Sequence, residues 1–72
     1  MSESAVYAGS FDPPTNGHVW MIEQGALLFK KLIVAVAHNP EKAYTYPLEQ
    51  REHWLHEICK AHDNVEVTVI EN

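Results

Sequence analysis

The segment from residue 9 to residue 18 holds the side chains best suited to chemistry. It reads Gly9-Ser10-Phe11-Asp12-Pro13-Pro14-Thr15-Asn16-Gly17-His18. Gly17 has no side chain, so a phosphate can approach the backbone N–H groups there, and His18 follows directly. A helix N-terminus supplies about half a positive charge, and an imidazole can donate a hydrogen bond to a phosphate oxygen. The segment therefore predicts an anion site suited to phosphoryl or nucleotidyl transfer.

Three strands and two helices are predicted around this segment. Apolar runs and helical spacing indicate, in order, a strand over residues 5–8, a helix from Thr15 or Asn16 to about Phe29, a strand over 32–37, a helix from Pro47 to about His62 and a strand over 65–70. The connections are too long for hairpins, so right-handed crossovers give a parallel sheet in the order 3-2-1. The predicted fold class is α/β, a Rossmann-like β-α-β-α-β half of a doubly wound sheet.

The three predicted strands differ in their patterns. The second is apolar throughout, which predicts a parallel strand covered on both faces. The third alternates, with valines on one face, and so is expected at an outer edge. The first is apolar yet lies at the other edge, where nothing in residues 1–72 pairs with it. We therefore expect one domain, truncated in the middle, that self-associates as a homo-oligomer.

Composition excludes several classes of protein. The chain has 72 residues and a net charge of −5, with no basic stripe, which argues against nucleic acid as a partner. No apolar run is long enough to span a bilayer, so no membrane is expected. A single cysteine, Cys59, and the absence of a signal-peptide pattern at the start make the cytoplasm the expected location.

The loop motif resembles a known superfamily. The run from Gly9 to Pro13, followed by Thr15-Asn16-Gly17-His18, is similar to the nucleotidyltransferases with the (H/T)-x-G-H signature, and most similar to the bacterial phosphopantetheine adenylyltransferase family. Further matches extend the resemblance over nearly the whole chain: Asn39-Pro40, Lys42, Leu48-Glu49-x-Arg51 and Asn64-Val65-Glu66-Val67.

The resemblance implies a reaction in which ATP and 4′-phosphopantetheine give dephospho-coenzyme A and pyrophosphate, with Mg²⁺ accompanying ATP. It implies that His18 stabilises charge on the α-phosphate, and that Ser10 and Lys42 hold the acceptor phosphate. It also implies an ATP site formed by five residues: Gly9, Ser10, Phe11, Gly17 and His18. No residue of the chain is expected to be a metal ligand. Catalysis would then rest on positioning and electrostatics, without a covalent intermediate.

Two other functions stay open. The family supplies further arginines from a C-terminal half that is missing here, so the chain could be a non-catalytic fragment that self-associates and binds nucleotide or phosphate weakly. The acceptor could also be another phosphorylated molecule, such as nicotinamide mononucleotide, although Thr15 and Lys42 argue against it. Pro47 stands where relatives have a polar residue that would cap the second helix, so its start is expected to differ.

Other residues that could do chemistry have simpler interpretations. Lys42 could be a solvated loop lysine, and His38 is expected to be an ordinary loop residue. His53 and His56 lie three apart on a predicted helix, but two further metal ligands are not evident. Glu49, Arg51 and His53 are expected to form a solvated charged face. Four aromatic residues are assigned to packing or to an interface: Trp20, Tyr44, Tyr46 and Trp54. Cys59, on the apolar stripe of the second helix, is assigned to the core.

Overall fold

The computed structural model describes residues 3–71 and contains the five predicted elements in the predicted order. They are β1 (Ser4–Gly9), α1 (Asn16–Leu28), β2 (Lys31–His38), α2 (Leu48–Cys59) and β3 (Val65–Glu71). The strands extend one or two residues beyond the predicted bounds. Helix α2 ends at Cys59 instead of near His62, because the next residues turn the chain toward β3.

The sheet is parallel, in the order β1-β2-β3, which confirms the predicted order and the Rossmann-like fold class. Strand β2 is central: Gly9 of β1 lies opposite Val36, and His38 of β2 lies opposite Glu71 of β3. Because all three strands run the same way, their carboxyl ends meet at one edge. Both strand-to-helix loops start there, and ligands of open α/β sheets bind at that edge.

Both helices pack on the same face of the sheet. Leu32, Val34 and Val36 of β2 form a buried cluster with Ile22 of α1 and with residues of α2. The alternate residues of β2 point to the opposite face. The apolar pattern of β2 predicts cover on both faces, and among residues 3–71 the helices supply it on only one.

Close packing between α1 and β2 explains a glycine within the helix. A Cβ atom added at Gly25 would lie 2.9 Å from a methyl group of Leu32, closer than real side-chain contacts allow. Gly25 costs about 1 kcal/mol of helix propensity relative to alanine. The close approach of α1 to β2 offsets that cost by letting Ile22 become fully buried.

The end of α1 is closed by a residue distant in sequence. The side-chain amide of Asn64 donates to the carbonyl oxygens of Ala26 and Phe29, at 2.8 and 3.0 Å. These carbonyls belong to the last turn of the helix, where no intrahelical donor is left. Asn64 therefore joins the start of β3 to the end of α1.

Strand β1 has a free edge within the described residues. It pairs only with β2, and the Val6 side chain is 62% exposed. An open groove between β1 and α1 lies beside it, lined by apolar side chains that include Met21 and Leu28. The expected self-association across this edge stays a prediction.

Two further features bear on the expectations from composition. Over residues 3–71, neither helix has both the length and the apolar content needed to cross a membrane. Cys59 is buried in the core, as expected, and desolvation raises the pKa of its thiol to about 11. The thiol is therefore protonated at neutral pH and serves as a packing residue.

Candidate functional site

The β1–α1 loop is organised around the buried ring of Phe11. This residue has φ 50°, in the left-handed region that side chains other than glycine rarely adopt, and it is 1% exposed. A Cβ atom at Gly9 would lie 3.4 Å from the Phe11 ring. The space left by Gly9 therefore accommodates this ring, and Phe11 presents only its backbone to the opening above the sheet.

Helix α1 begins with a reciprocal cap between Thr15 and His18. The Thr15 hydroxyl accepts the backbone N–H of His18 at 3.4 Å, and Nδ1 of His18 accepts the backbone N–H of Thr15 at 2.9 Å. In the usual capping box a glutamate or glutamine side chain makes the second bond. Here the imidazole performs that role.

The cap fixes the tautomer of His18. Because Nδ1 accepts a backbone N–H, it carries no proton in the neutral ring, and the proton lies on Nε2. The ring also packs edge-on against Phe11, with centroids 4.9 Å apart, and is half-buried. The neutral imidazole can therefore donate a hydrogen bond only through Nε2, at the start of α1.

The surroundings of this donor are exposed. Ser10, Asn16 and Gly17 are all exposed, and a Cβ atom added at Gly17 would meet only the Thr15 hydroxyl, at 3.6 Å. The N–H groups of Asn16 and Gly17 are the first two of α1, where helix geometry leaves donors without intrahelical acceptors. The predicted arrangement of helix start, open backbone and imidazole is therefore present in the fold.

Asp12 joins the first loop to the second. Its two carboxylate oxygens accept the backbone N–H groups of Thr45 and Tyr46, at 2.6 and 2.7 Å. Desolvation by itself would raise the pKa of Asp12, but these two bonds and the nearby positive charge of Arg51 together lower the pKa below its ordinary value of 3.8. The sequence analysis assigned no role to Asp12.

Arg51 is fully buried, so its assignment to a solvated charged face is wrong; Glu49 and His53 are exposed, as that assignment expects. The guanidinium donates to the carbonyl oxygens of Ser10 and Tyr46, each at 3.0 Å. The sequence did contain a signal: residue 51 lies three after residue 48 and four before residue 55, on the apolar stripe of α2.

The β2–α2 loop carries Lys42 at the same edge of the sheet as the first loop. Lys42 is exposed, and its Nζ lies 5.7 Å from the centre of the Tyr44 ring. The Tyr44 hydroxyl accepts the backbone N–H of Asn39 at 2.8 Å, which closes the loop. His38 stacks on Tyr44 and contacts Arg51, so it is more than the ordinary loop residue expected from the sequence.

The remaining histidine and aromatic candidates lie on or beside the two helices. His53 and His56 are exposed, and within residues 3–71 no group of three or more histidine, cysteine or acidic side chains could hold a metal. Tyr46 packs edge-on against Trp54, with centroids 4.8 Å apart, as expected for packing residues. Trp20 is 58% exposed, so it is not a packing residue among the described residues, and its assignment to an interface stays a prediction.

The fold and this loop define a Rossmann-like half-sheet in which the capped start of α1 lies at the carboxyl ends of the strands. The chain belongs to the Cytidylyltransferase-like family, which matches residues 6–71. This membership and the matches below confirm the resemblance on which the sequence analysis relied.

Curated relatives with high identity are phosphopantetheine adenylyltransferases. The chain is 53% identical to that of Neisseria meningitidis serogroup C over 68 residues, covering 94% of this chain and 40% of the relative. It is 50% identical to that of Chromobacterium violaceum, covering 94% and 42%. The chain therefore spans about 40% of the length of these relatives.

Solved structures support the fold. NadR protein in complex with NAD and AMP-PNP superposes with a TM-score of 0.84 at 24% identity, covering 99% of this chain and 21% of that one. At this identity the likeness concerns the fold alone.

Proposed function

We propose that this chain forms the phosphate-binding half of an adenylyltransferase that transfers AMP from ATP to 4′-phosphopantetheine, giving dephospho-coenzyme A and pyrophosphate. Family membership and the similarity to phosphopantetheine adenylyltransferases support the reaction class. One observation carries the proposal: the cap holds His18 with Nε2–H as a donor, beside the open N–H groups of Asn16 and Gly17.

The proposed reaction is an in-line displacement at phosphorus. An oxygen of the acceptor phosphate forms a bond to the α-phosphorus of ATP, the bond from that phosphorus to the bridging oxygen breaks, and pyrophosphate leaves with the electron pair. Negative charge on the α-phosphate oxygens is the main obstacle, so fixed donors lower the barrier. Nε2–H of His18 would supply one such donor without reorganising during the reaction.

The acceptor phosphate would be held between the two loops. Ser10 is exposed at the end of β1 and would orient this phosphate through its hydroxyl. Lys42 would pair with its negative charge from the β2–α2 loop. The backbone at Gly9 and Phe11 would line the nucleotide, since the Phe11 side chain is buried.

Mg²⁺ would enter with ATP, bound to the phosphates of the nucleotide. The donor set fits this role better than a metal cage, because the described residues offer no cluster of three metal-ligating side chains. The ion would shield phosphate charge in a chain whose own net charge is −5.

The experiment that tests this proposal measures pyrophosphate release from ATP, Mg²⁺ and 4′-phosphopantetheine. It compares the parent chain, its His18→Ala variant and a matched control, His53→Ala. His53 is exposed on α2 and is assigned no role in the reaction. We expect loss of the His18 donor to lower kcat about 100-fold or more, and the control to keep the parent rate.

Other outcomes identify the alternatives. If the parent chain releases pyrophosphate no faster than the His18→Ala variant, the chain is a non-catalytic fragment that at most binds phosphate. Faster release with nicotinamide mononucleotide than with 4′-phosphopantetheine would change the acceptor.

A further inference from the structure

The guanidinium of Arg51 is an unusual charge to find in the core. It is fully buried, and in residues 3–71 no carboxylate lies within salt-bridge distance of it. A buried charge is costly unless its donors are satisfied. All its contacts are to carbonyl oxygens and rings. The surrounding loops therefore fix the position of the guanidinium, and the guanidinium fixes the position of the loops.

The hydrogen bonds of Arg51 reach three separate segments. Nη1 donates to the carbonyl oxygens of Ser10 at 3.0 Å and Ala37 at 3.5 Å, and Nε donates to the carbonyl oxygen of Tyr46 at 3.0 Å. Ser10 belongs to the β1–α1 loop, Ala37 to the end of β2, and Tyr46 to the residues before α2. The planar guanidinium has five N–H donors and can bind all three segments at once, whereas a lysine ammonium cannot.

The same guanidinium also fixes His38 and Tyr44. Nη2 of Arg51 lies 2.7 Å from Nδ1 of His38, and Cζ of Arg51 lies 4.1 Å from the centre of the Tyr44 ring. Because arginine only donates, Nδ1 of His38 must accept, which places the ring proton on Nε2. The Tyr44 ring in turn contacts both His38 and Lys42.

We infer that Arg51 is a positioning residue for the transfer: it holds the loop of Ser10 against the loop of Lys42, so that both reach one acceptor phosphate. The inference rests on the proposed function. Ser10 and Lys42 contact the substrate in this scheme, and Arg51 acts through them. A displacement of about 1 Å between such groups can lower a rate about 100-fold.

The main test compares Arg51→Lys with Leu55→Val. The first keeps the buried charge but cannot bridge the three segments; the second weakens the same core one turn along α2 without removing a hydrogen bond to either loop. Under conditions where both are folded, we expect Arg51→Lys to lower kcat about 100-fold with little change in KM for ATP. Leu55→Val should keep kcat per folded molecule, and an equal loss in the two variants would overturn the inference.

A second pair of variants covers the case in which Arg51→Lys does not fold. His38→Gln keeps an acceptor for the guanidinium, and His38→Leu removes it. We expect His38→Leu to lower kcat, by less than Arg51→Lys does, and His38→Gln to restore most of the parent kcat. Equal kcat values in the two variants would contradict the inference.

A readout independent of activity separates this inference from the proposed function. Nitrogen NMR of the imidazoles reports the tautomer of His38, and amide exchange reports the bonds from Thr45 and Tyr46. In Arg51→Lys we expect a mixed tautomer and faster exchange at both amides. Unchanged spectra would overturn the role of Arg51 even if the parent chain were active. Altered spectra together with an inactive parent chain would refute the proposed AMP transfer but not the contacts of Arg51.

Discussion

The two strand-to-helix loops of this protein, β1–α1 and β2–α2, are held in place by different kinds of contact. The first loop ends in a local cap, in which Thr15 and His18, three residues apart, bind each other. The second makes local bonds as well, but its end is held by Asp12, which lies 33 and 34 positions before Thr45 and Tyr46, and by Arg51, which links Tyr46 to Ser10. Local order can form with the helix itself, whereas the second loop depends on the assembled sheet.

The largest effect is expected where the second loop loses its buried anchor. Arg51→Met leaves the carbonyls of Ser10 and Tyr46 without a donor in the core, so we expect a loss of about 3 kcal/mol in the free energy of unfolding. Urea denaturation measures it. The control Lys60→Met removes an exposed charge after the same helix and should stay within about 0.5 kcal/mol. A loss no larger than that of the control would show that the second loop does not depend on Arg51.

The next effect concerns the tie between the loops. Asp12→Asn removes a carboxylate that accepts two backbone N–H groups, so the amides of Thr45 and Tyr46 should exchange severalfold faster, while the amide of His18 should exchange at the parent rate. Equal acceleration at His18 would mean that the two loops order together.

The same carboxylate gives a pH dependence. Because the pKa of Asp12 is lowered by folding, its stabilising contribution is complete above the ordinary value of 3.8, which applies to the unfolded chain, and is lost as the pH falls through the lower folded value. Between neutral pH and pH 3, the parent should therefore lose more stability than Asp12→Asn in acid unfolding titrations. Parallel curves would contradict the assigned bonds.

A smaller effect is expected in the first loop. Thr15→Ala removes the hydroxyl that accepts the His18 N–H, and the loss of such a cap costs about 1 kcal/mol. Thr15→Ser keeps the oxygen and should retain most of the stability. Thermal unfolding compares the two variants, and a Thr15→Ser variant as unstable as Thr15→Ala would show that the methyl group, not the cap, matters.

The smallest effect is expected at the start of α2, where Pro47 is the N-cap residue and makes no side-chain cap bond. Pro47→Ser gains a cap but loses the rigidity of proline, so stability should stay within about 0.5 kcal/mol of the parent. The amides of Glu49 and Gln50 should exchange more slowly. A loss above about 1 kcal/mol would show that the loop needs proline at this position.

The sequence was sufficient for the elements, the strand order and the start of α1. Apolar spacing identified the strands and helices, crossover handedness fixed the order, and Thr15 was one of two predicted cap residues; the second cap bond, from His18, was not predicted. Arg51 escaped prediction because a charged residue on a helix is ordinarily solvated, and its partners lie in three separate segments, one of them 41 positions away. The roles of Asp12 and Asn64 were missed because their partners are also distant in sequence.

By itself, then, the amino-acid sequence determined whatever depends on periodicity and on neighbours within a helical turn, including the imidazole at the start of α1. Only the tertiary structure decided which backbone carbonyls receive the buried guanidinium and which amides receive the Asp12 carboxylate. The physical reason is that such bonds form between groups whose proximity arises from the folding of the whole sheet, and no local pattern records it.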